Sequence, residues 1–465
     1  MHPRLRDIVK AYDVRGTSPG QLDVDVARAL GAAFAAETGI DGGRGRAVVG
    51  RDMRATSPQI AAAIGEGIRS VGGGVVDVGL ASTDLLYCAS GVLDLPGVMV
   101  TASHNPAGDN GLKMCRAAAR PIGLQSGLAS IAEAAGPLLD APPGGRSGTS
   151  SGAGQDRATT EDLDFLPTYV ETLLSLVPVS GRRLRVAVDA GNGMAGHTVP
   201  GVFERLDVEL VPLYLELDGS FPNHEANPLD SSTLVDLQRT VRERGCDVGL
   251  AFDGDADRCF VVDERGDVVT PSAITALVAA RHLEAEPGAT VLHNVICSRA
   301  VPEIIAERGG TAVRTPVGHS LIKAEMARTG AVFGGEHSGH FYFREFYLAD
   351  SGMLAALHVM AALAGSTAPL SSLMAEFSRY AASGEINSRV ADADAVLEAI
   401  ARTYADHRLD RLDGLTVEAD DWWFNVRASN TEPLLRLNVE GVDESTMTRV
   451  RDEVLALVRA DHTAP

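Results

Sequence analysis

The stretch Val248-Gly249-Leu250-Ala251-Phe252-Asp253-Gly254-Asp255-Ala256-Asp257-Arg258 passes from an unbroken apolar run to three carboxylates at alternate positions. Val248–Phe252 reads as a strand, and Ser231–Arg244 before it as a helix. The same alternation holds outward in both directions. Ala47–Gly50, Val75–Val78, Val98–Thr101, Arg185–Asp189, Thr290–His293 and Ala331–Phe333 read as strands; Asp25–Glu37, Pro58–Val71 and Leu321–Thr329 read as helices. This pattern predicts an α/β chain with mostly parallel or mixed sheets. Pro142 to Thr160 is rich in Gly, Ser and Thr and poor in apolar residues, a loop or linker. A softer break lies near Gly365–Pro369. Beyond it a helix near Ala393–Tyr404, strands at Thr416–Val417, Trp422–Val426 and Leu435–Val439, and a helix from Ser445 suggest a small α+β domain. The expected domains are 1–140, 161–255 and 256–366, all α/β, and 367–465, with 141–160 as linker. That is one more than the about three that 465 residues suggest.

Apolar residues make up 45% and charged residues 22%, the mix of a folded globular protein. With 62 Asp and Glu against 41 Lys and Arg, the net charge is −21. Such a surface repels nucleic-acid phosphates and anionic membranes, which excludes both as general partners. An anionic substrate would need positive charge gathered locally. The five cysteines (Cys88, Cys115, Cys246, Cys259, Cys297) are scattered, without a CxxC pair. They form neither a disulfide framework nor a zinc site, which fits a reducing compartment. Met1–Asp7 runs into charge where a signal peptide needs an apolar stretch, and the longest apolar run, Met353 to Leu363, is broken by His358. A cytoplasmic location is expected. Only three basic residues are lysine: Lys10, Lys113 and Lys323. A lysine kept in an arginine-rich chain is a candidate for work arginine cannot do, such as giving up a proton; chance placement is the alternative.

Four loops carry candidate chemistry. Thr101-Ala102-Ser103-His104-Asn105-Pro106 follows a strand, where ligand-handling residues of α/β sheets sit. Ser103 is a candidate nucleophile or phosphoryl carrier, or part of a polar Asn-Pro turn. His104 is its neighbour, and neighbours in an extended chain point apart, so the adjacency is not evidence of a Ser–His dyad. Without a GxSxG elbow a serine hydrolase is disfavoured. Asp253, Asp255 and Asp257 suit a hard cation, Mg²⁺ first. Glu264 stands twelfth from Asp253 as in an EF-hand loop, but Arg258 occupies the place of the required Gly and the flanks are strands. A solvated acidic turn is the plain alternative. Gly334-Gly335-Glu336-His337-Ser338-Gly339-His340 offers close backbone approach and groups that hydrogen-bond sugar hydroxyls, or is a tight polar turn. Arg427-Ala428-Ser429-Asn430-Thr431-Glu432-Pro433 packs donors as a phosphate cradle does, or as a capped turn does. The literal GxGxxG at Gly191–Gly196 lacks an acid ending the next strand, and a strand–helix turn is the expected role over a dinucleotide site.

Together with Ala11-Tyr12-Asp13-Val14-Arg15-Gly16-Thr17, these loops, in order along essentially the whole chain, resemble the α-D-phosphohexomutase family, phosphomannomutase/phosphoglucomutase branch. The resemblance implies four domains around a central cleft: three related α/β mixed-sheet domains and a smaller C-terminal α+β domain. It implies that Ser103 is a phosphoserine which, with Asp253, Asp255 and Asp257, holds Mg²⁺. Arg15, Lys113, Arg258 and His340 match positions near the transferring phosphoryl group, and Tyr12 and His319 supporting ones. Glu336 and Ser338 match sugar-hydroxyl readers, and Arg427, Ser429, Asn430 and Thr431 the site for the non-reacting phosphate. One departure is Ile296, in Val295-Ile296-Cys297-Ser298-Arg299, where some members carry lysine. The implied activity is interconversion of mannose 6- and 1-phosphates, and of the glucose phosphates, through a hexose 1,6-bisphosphate, in a monomer or homodimer. Lys113 would take the hydroxyl proton, provided that its pKa is lowered. Phosphoglucosamine mutase, a Mg²⁺-dependent sugar phosphatase, an NAD-dependent oxidoreductase and a non-catalytic phosphosugar sensor are the rivals.

Overall fold

The structure, a computed structural model, describes residues 1–140, 158–428 and 434–460. The chain divides into two compact units, Met1–Val269 with Ser338–Ser371, and Thr270–His337 with Ser372–Pro465.

In the first unit, strands β1 (Val14–Thr17), β2 (Arg46–Arg51), β3 (Gly74–Leu80), β4 (Gly97–Val100), β5 (Asp109–Arg116), β6 (Arg120–Pro121) and β7 (Thr160–Asp162) form one mixed sheet. Its order is β1-β5-β4-β2-β3-β7, with β6 on β5. β2 runs parallel to β3 and β4, while β5 lies antiparallel to β4 and β1. Leu112 and Met114 of β5 enter the core. Because side chains alternate along a strand, Lys113 between them faces the other way. The helices Val24–Glu37 and Ser57–Ser70 cross at glycines: a Cβ at Gly67 would stand 2.1 Å from the Arg28 carbonyl oxygen.

A second sheet of this unit joins β8 (Leu184–Asp189), β9 (Val208–Leu213), β10 (Val248–Phe252), β11 (Cys259–Asp263) and β12 (Val268–Val269) in the order β12-β11-β10-β8-β9. β8, β9 and β10 are parallel, and β11 turns back antiparallel. Leu237 and Val241 of the helix Val235–Arg244 bury against it. The stretch read as one helix from Ser231 begins instead with a tighter 3₁₀ turn, Ser231–Leu234, where Asp230 accepts from the Ser232 N–H. Side-chain competition of this kind delays the α-helix by a turn.

In the second unit, β13 (Thr290–Asn294) pairs in parallel with β14 (Thr311–Thr315) and β15 (Phe333–Gly335). β15 starts two residues later than its apolar pattern, placing Gly334 and Gly335 inside the strand rather than in the following loop. The short hairpin β16 (Phe341–Phe343) and β17 (Ala349–Asp350) belongs to the first unit. An antiparallel sheet completes the second unit, from β18 (Ala381–Arg389), β19 (Arg408–Asp410), β20 (Leu415–Glu418), β21 (Trp422–Ala428) and β22 (Leu434–Gly441) in the order β18-β22-β21-β20-β19. Residues of the helices Ala393–Thr403 and Glu444–Val458 share its core. Among the described residues, no helix is long and apolar enough to cross a membrane.

Candidate active site

β4 delivers the Ser103 loop. Ser103 takes a left-handed backbone, φ 52°. Its N–H donates to Thr101 Oγ1 at 2.9 Å and its hydroxyl to Asp253 Oδ2 at 2.9 Å. The same turn brings His104 Nδ1 to 3.2 Å from Ser103 Oγ. This corrects the extended-chain expectation for the pair: at positive φ the backbone turns at Ser103, and successive side chains are no longer opposed. Desolvation, followed by the charges of Arg258 and Arg15, pushes the His104 pKa well below its ordinary value, leaving a neutral imidazole beside the hydroxyl.

β10 delivers the three aspartates, all buried, with one oxygen from each within 4.8 Å of the others. Arg258 donates to Asp253 from Nε at 2.9 Å and from its backbone N–H at 3.1 Å. Thr83 Oγ1 donates to Asp255 Oδ2 at 2.5 Å. Across from them, Lys113 Nζ donates to Asp255 Oδ2 at 2.8 Å and Asp257 Oδ2 at 2.5 Å. The buried Oδ1 atoms of Asp255 and Asp257 have no hydrogen-bond partner among the described residues. Buried carboxylate oxygens without donors are costly, and an all-oxygen donor set of this kind fits a hard divalent cation such as Mg²⁺.

The charges set the titration directions. Burial works to raise the Asp255 carboxyl, but the Lys113 ammonium holds it below the usual range. Burial, then the charge of Asp255, raises Asp257. For Lys113, burial acts to lower the pKa, yet Asp255 and Asp257 hold it well above its ordinary value. That direction is the reverse of the one a general base needs, so as paired here Lys113 is a counter-ion.

His340 completes the group. Its Nδ1 lies 2.9 Å from Asp350 Oδ2 and 3.8 Å from Asp257 Oδ1, and these carboxylates raise its pKa against the effect of burial. His340 and Arg258 are bridge partners, which fixes one beside the other. Arg15 donates from Nε to Asp13 Oδ2 at 2.7 Å and from Nη1 to Asn105 Oδ1 at 2.8 Å, which ties it to the Ser103 loop. Tyr12 is half-buried three residues before it. The Gly191–Gly196 turn backs the metal loop, its Met194 N–H donating to the Gly254 carbonyl at 2.9 Å.

Other candidates lie elsewhere. Ser338 is half-buried in the first unit. In the second unit, buried Glu336 accepts at Oε1 from Gly318 N–H at 3.2 Å and Asn294 Nδ2 at 3.4 Å. His319 opens the helix His319–Thr329. Ile296 lines a cavity with Ser298, His337, Trp423 and Glu440. Arg299 donates to the carbonyls of Ala419 at 2.6 Å and Asp420 at 2.8 Å. Buried Arg427, near the end of β21, donates to Glu385 Oε2 at 2.9 Å, and Arg436 to Glu385 Oε1 at 3.0 Å. Ser429, Asn430 and Thr431 lie outside the described residues.

The chain matches Phosphoglucomutase/phosphomannomutase alpha/beta/alpha domain I over residues 6–135, domain II over 167–266, domain III over 270–380 and the C-terminal domain over 385–457. It is a member of the phosphoglucomutase/phosphomannomutase family. A "Phosphohexose mutases" protein of Xanthomonas campestris is 38% identical over 452 residues, covering 96% of this chain and 98% of that one. A phosphomannomutase of Escherichia coli is 37% identical, covering 97% and 98%. A solved phosphoglucomutase/phosphomannomutase family protein from Burkholderia thailandensis superposes with a TM-score of 0.87 at 33% identity, covering 99% of each chain. The enzyme is therefore a phosphohexomutase, an isomerase.

Several residues that shape this candidate site of the phosphohexomutase escaped the sequence reading. Thr83 and Asp350 hold Asp255 and His340, and Asn105 holds Arg15. Glu385 joins two arginines from a strand with no apolar pattern. Arg54, buried at 1% exposure, reads in sequence as one more surface charge. Only its place after the strand Ala47–Gly50 could have marked it.

Proposed function

We propose that the protein reversibly interconverts mannose 6-phosphate and mannose 1-phosphate, and likewise the glucose phosphates, through a phosphoserine at Ser103 and a hexose 1,6-bisphosphate. The observation that carries this reading is the Ser103 hydroxyl 2.9 Å from one of three clustered aspartates, which also pair with Lys113, Arg258 and His340. Phosphoryl transfer needs positioned groups and charge neutralisation more than covalent assistance.

The Ser103 phosphoryl group passes to a hydroxyl of the hexose phosphate; the Ser103 Oγ–P bond breaks as the sugar O–P bond forms. The bisphosphate then presents its other phosphate, which returns to Ser103. Arg15 and Arg258 neutralise charge on the moving group. Lys113 is proposed to accept the sugar hydroxyl proton, which requires its amine to leave Asp255 and Asp257, and His340, oriented by Asp350, is the second acid–base group. Ser103 with Asp253, Asp255 and Asp257 would hold Mg²⁺, which when bound neutralises phosphoryl charge as a Lewis acid. Glu336 and Ser338 would read sugar hydroxyls. Arg427, with Ser429, Asn430 and Thr431, would hold the non-reacting phosphate, and Tyr12 and His319 would support substrate.

A coupled assay with mannose, glucose and glucosamine 1-phosphates, each with a trace of the matching 1,6-bisphosphate, tests the reading. Formation of the 6-phosphates of mannose and glucose is expected. Release of inorganic phosphate without isomerisation would identify a phosphatase, and turnover of glucosamine phosphate alone would identify the third substrate.

A further inference from the structure

Arg54 has 1% of its surface exposed and spends its guanidinium almost entirely on one loop. Nη2 donates to the carbonyls of Ser103 at 2.8 Å and Asn105 at 2.7 Å; Nη1 donates to those of Pro106 at 2.7 Å and Asp109 at 3.0 Å. Nε points back to Asp52 Oδ2 at 3.2 Å. Asp52 in turn accepts at Oδ1 from the Arg54 N–H and from Ser57 Oγ, which fixes the arm at the start of a helix. One face of the guanidinium is covered by Phe221, with Cζ 5.2 Å from the ring centroid. A Cβ at Gly219 would stand 2.6 Å from Arg54 Cα, so the loop that carries Phe221 closes down without room for a side chain.

We propose that Arg54 is a positioning residue for phosphoryl transfer, the pin that sets the attitude of the Ser103 hydroxyl. The inference rests on the functional reading above. A planar fork with fixed donor directions can hold four carbonyls at once, and a lysine ammonium cannot. Ser103 sits at positive φ, a conformation serine adopts only under constraint, and the carbonyl that Arg54 holds belongs to that same residue. The Ser103 carbonyl oxygen also lies 2.3 Å from where a Cβ at Gly254 would stand, so the pinned loop abuts the metal loop directly. Asn105 is the second link: Arg54 holds its carbonyl while its side chain holds Arg15. One buried guanidinium thus aligns the proposed nucleophile and a phosphate-facing cation. It touches no reacting atom itself.

The test compares wild type with Arg54→Lys, and with Asp52→Asn, which removes the carboxylate that aims the guanidinium. The readouts are kcat and KM for glucose 1-phosphate at saturating glucose 1,6-bisphosphate, together with amide hydrogen exchange across 102–110. Misplacing a reacting group by about 1 Å costs on the order of 10²-fold, so kcat should fall by about that factor while KM stays within about twofold. Exchange should accelerate in 102–110 and stay at wild-type rates in the rest of the first sheet. Folded Arg54→Lys with wild-type kcat overturns the proposal, as does faster exchange spread evenly over the unit. Should Arg54→Lys not fold, Phe221→Leu is read the same way: a smaller kcat loss with exchange confined to the loop supports the pin, and wild-type values in both overturn it. Wild type without mutase turnover would refute the functional reading instead, and the exchange pattern would still decide the pin.

Discussion

Lys113 is paired with the two aspartates that face it, and the pairing holds its proton. Two roles remain distinct in experiment. If Lys113 only neutralises charge, arginine supplies the same charge and more donors. If it also accepts a proton, arginine fails, because its pKa above about 12 keeps it charged. General-base assistance is worth about 10²–10⁴-fold, so Lys113→Arg should lose kcat on that order with a smaller change in KM. Near-normal kcat in that variant would remove the base assignment and leave His340. The rarity of lysine marked the residue in sequence, but its partners were not legible there: Asp255 and Asp257 lie more than a hundred positions away. The Ser103–His104 contact was misjudged for a different reason, since it depends on one backbone angle that no residue type announces.

At the scale of elements, buried polar groups tie helix starts together. Asp84, in the first turn of the helix Thr83–Leu93, accepts from Ser82, Tyr169 and Ser351, the last being the N-cap of the helix Gly352–Ala364. Burial pushes its carboxyl up to about 6 despite those donors. A raised folded-state pKa means that the native chain binds the proton more tightly than the unfolded one. This contribution to stability is therefore full below the ordinary value of 3.8 and is lost as pH rises through about 6. Two pKa units correspond to about 3 kcal/mol. Urea midpoints measured from pH 4 to 7 should fall less in Asp84→Asn than in wild type; equal slopes would contradict the assignment. Near the end of β21, Arg427 donates from Nη2 to Glu385, and the proposed function gives it the non-reacting phosphate. Arg427→Ala should raise KM for hexose phosphate about 10- to 100-fold, the worth of a charged hydrogen bond. An unchanged KM would exclude the phosphate role. Apolar strands such as Val248–Phe252 were read to the residue because burial writes itself into composition. β5 and β18 were not, because Asp109–Arg116 and Ala381–Arg389 carry polar residues that look like loop until their partners are known.

At the scale of the whole molecule, a chain of net charge −21 must handle a phosphorylated sugar. Arg15, Lys113 and Arg258 gather beside the carboxylates of Asp13, Asp253, Asp255 and Asp257; under the proposed function these cations would neutralise the phosphate, with a divalent cation balancing the aspartates. Order along the chain made the family legible: each loop alone has a plain structural reading, and only their succession from Tyr12 to Arg427 does not. The central claim is that Ser103 carries the phosphoryl group between two hydroxyls of one sugar. Intact-mass and peptide mass spectrometry on freshly active protein, alongside turnover with and without glucose 1,6-bisphosphate and Mg²⁺, tests it most directly. The expected result is one phosphoryl group on Ser103, Mg²⁺-dependent turnover, and a folded Ser103→Ala variant that binds substrate without turning it over. Full turnover by protein with no phosphate at Ser103, in the absence of bisphosphate, would contradict it.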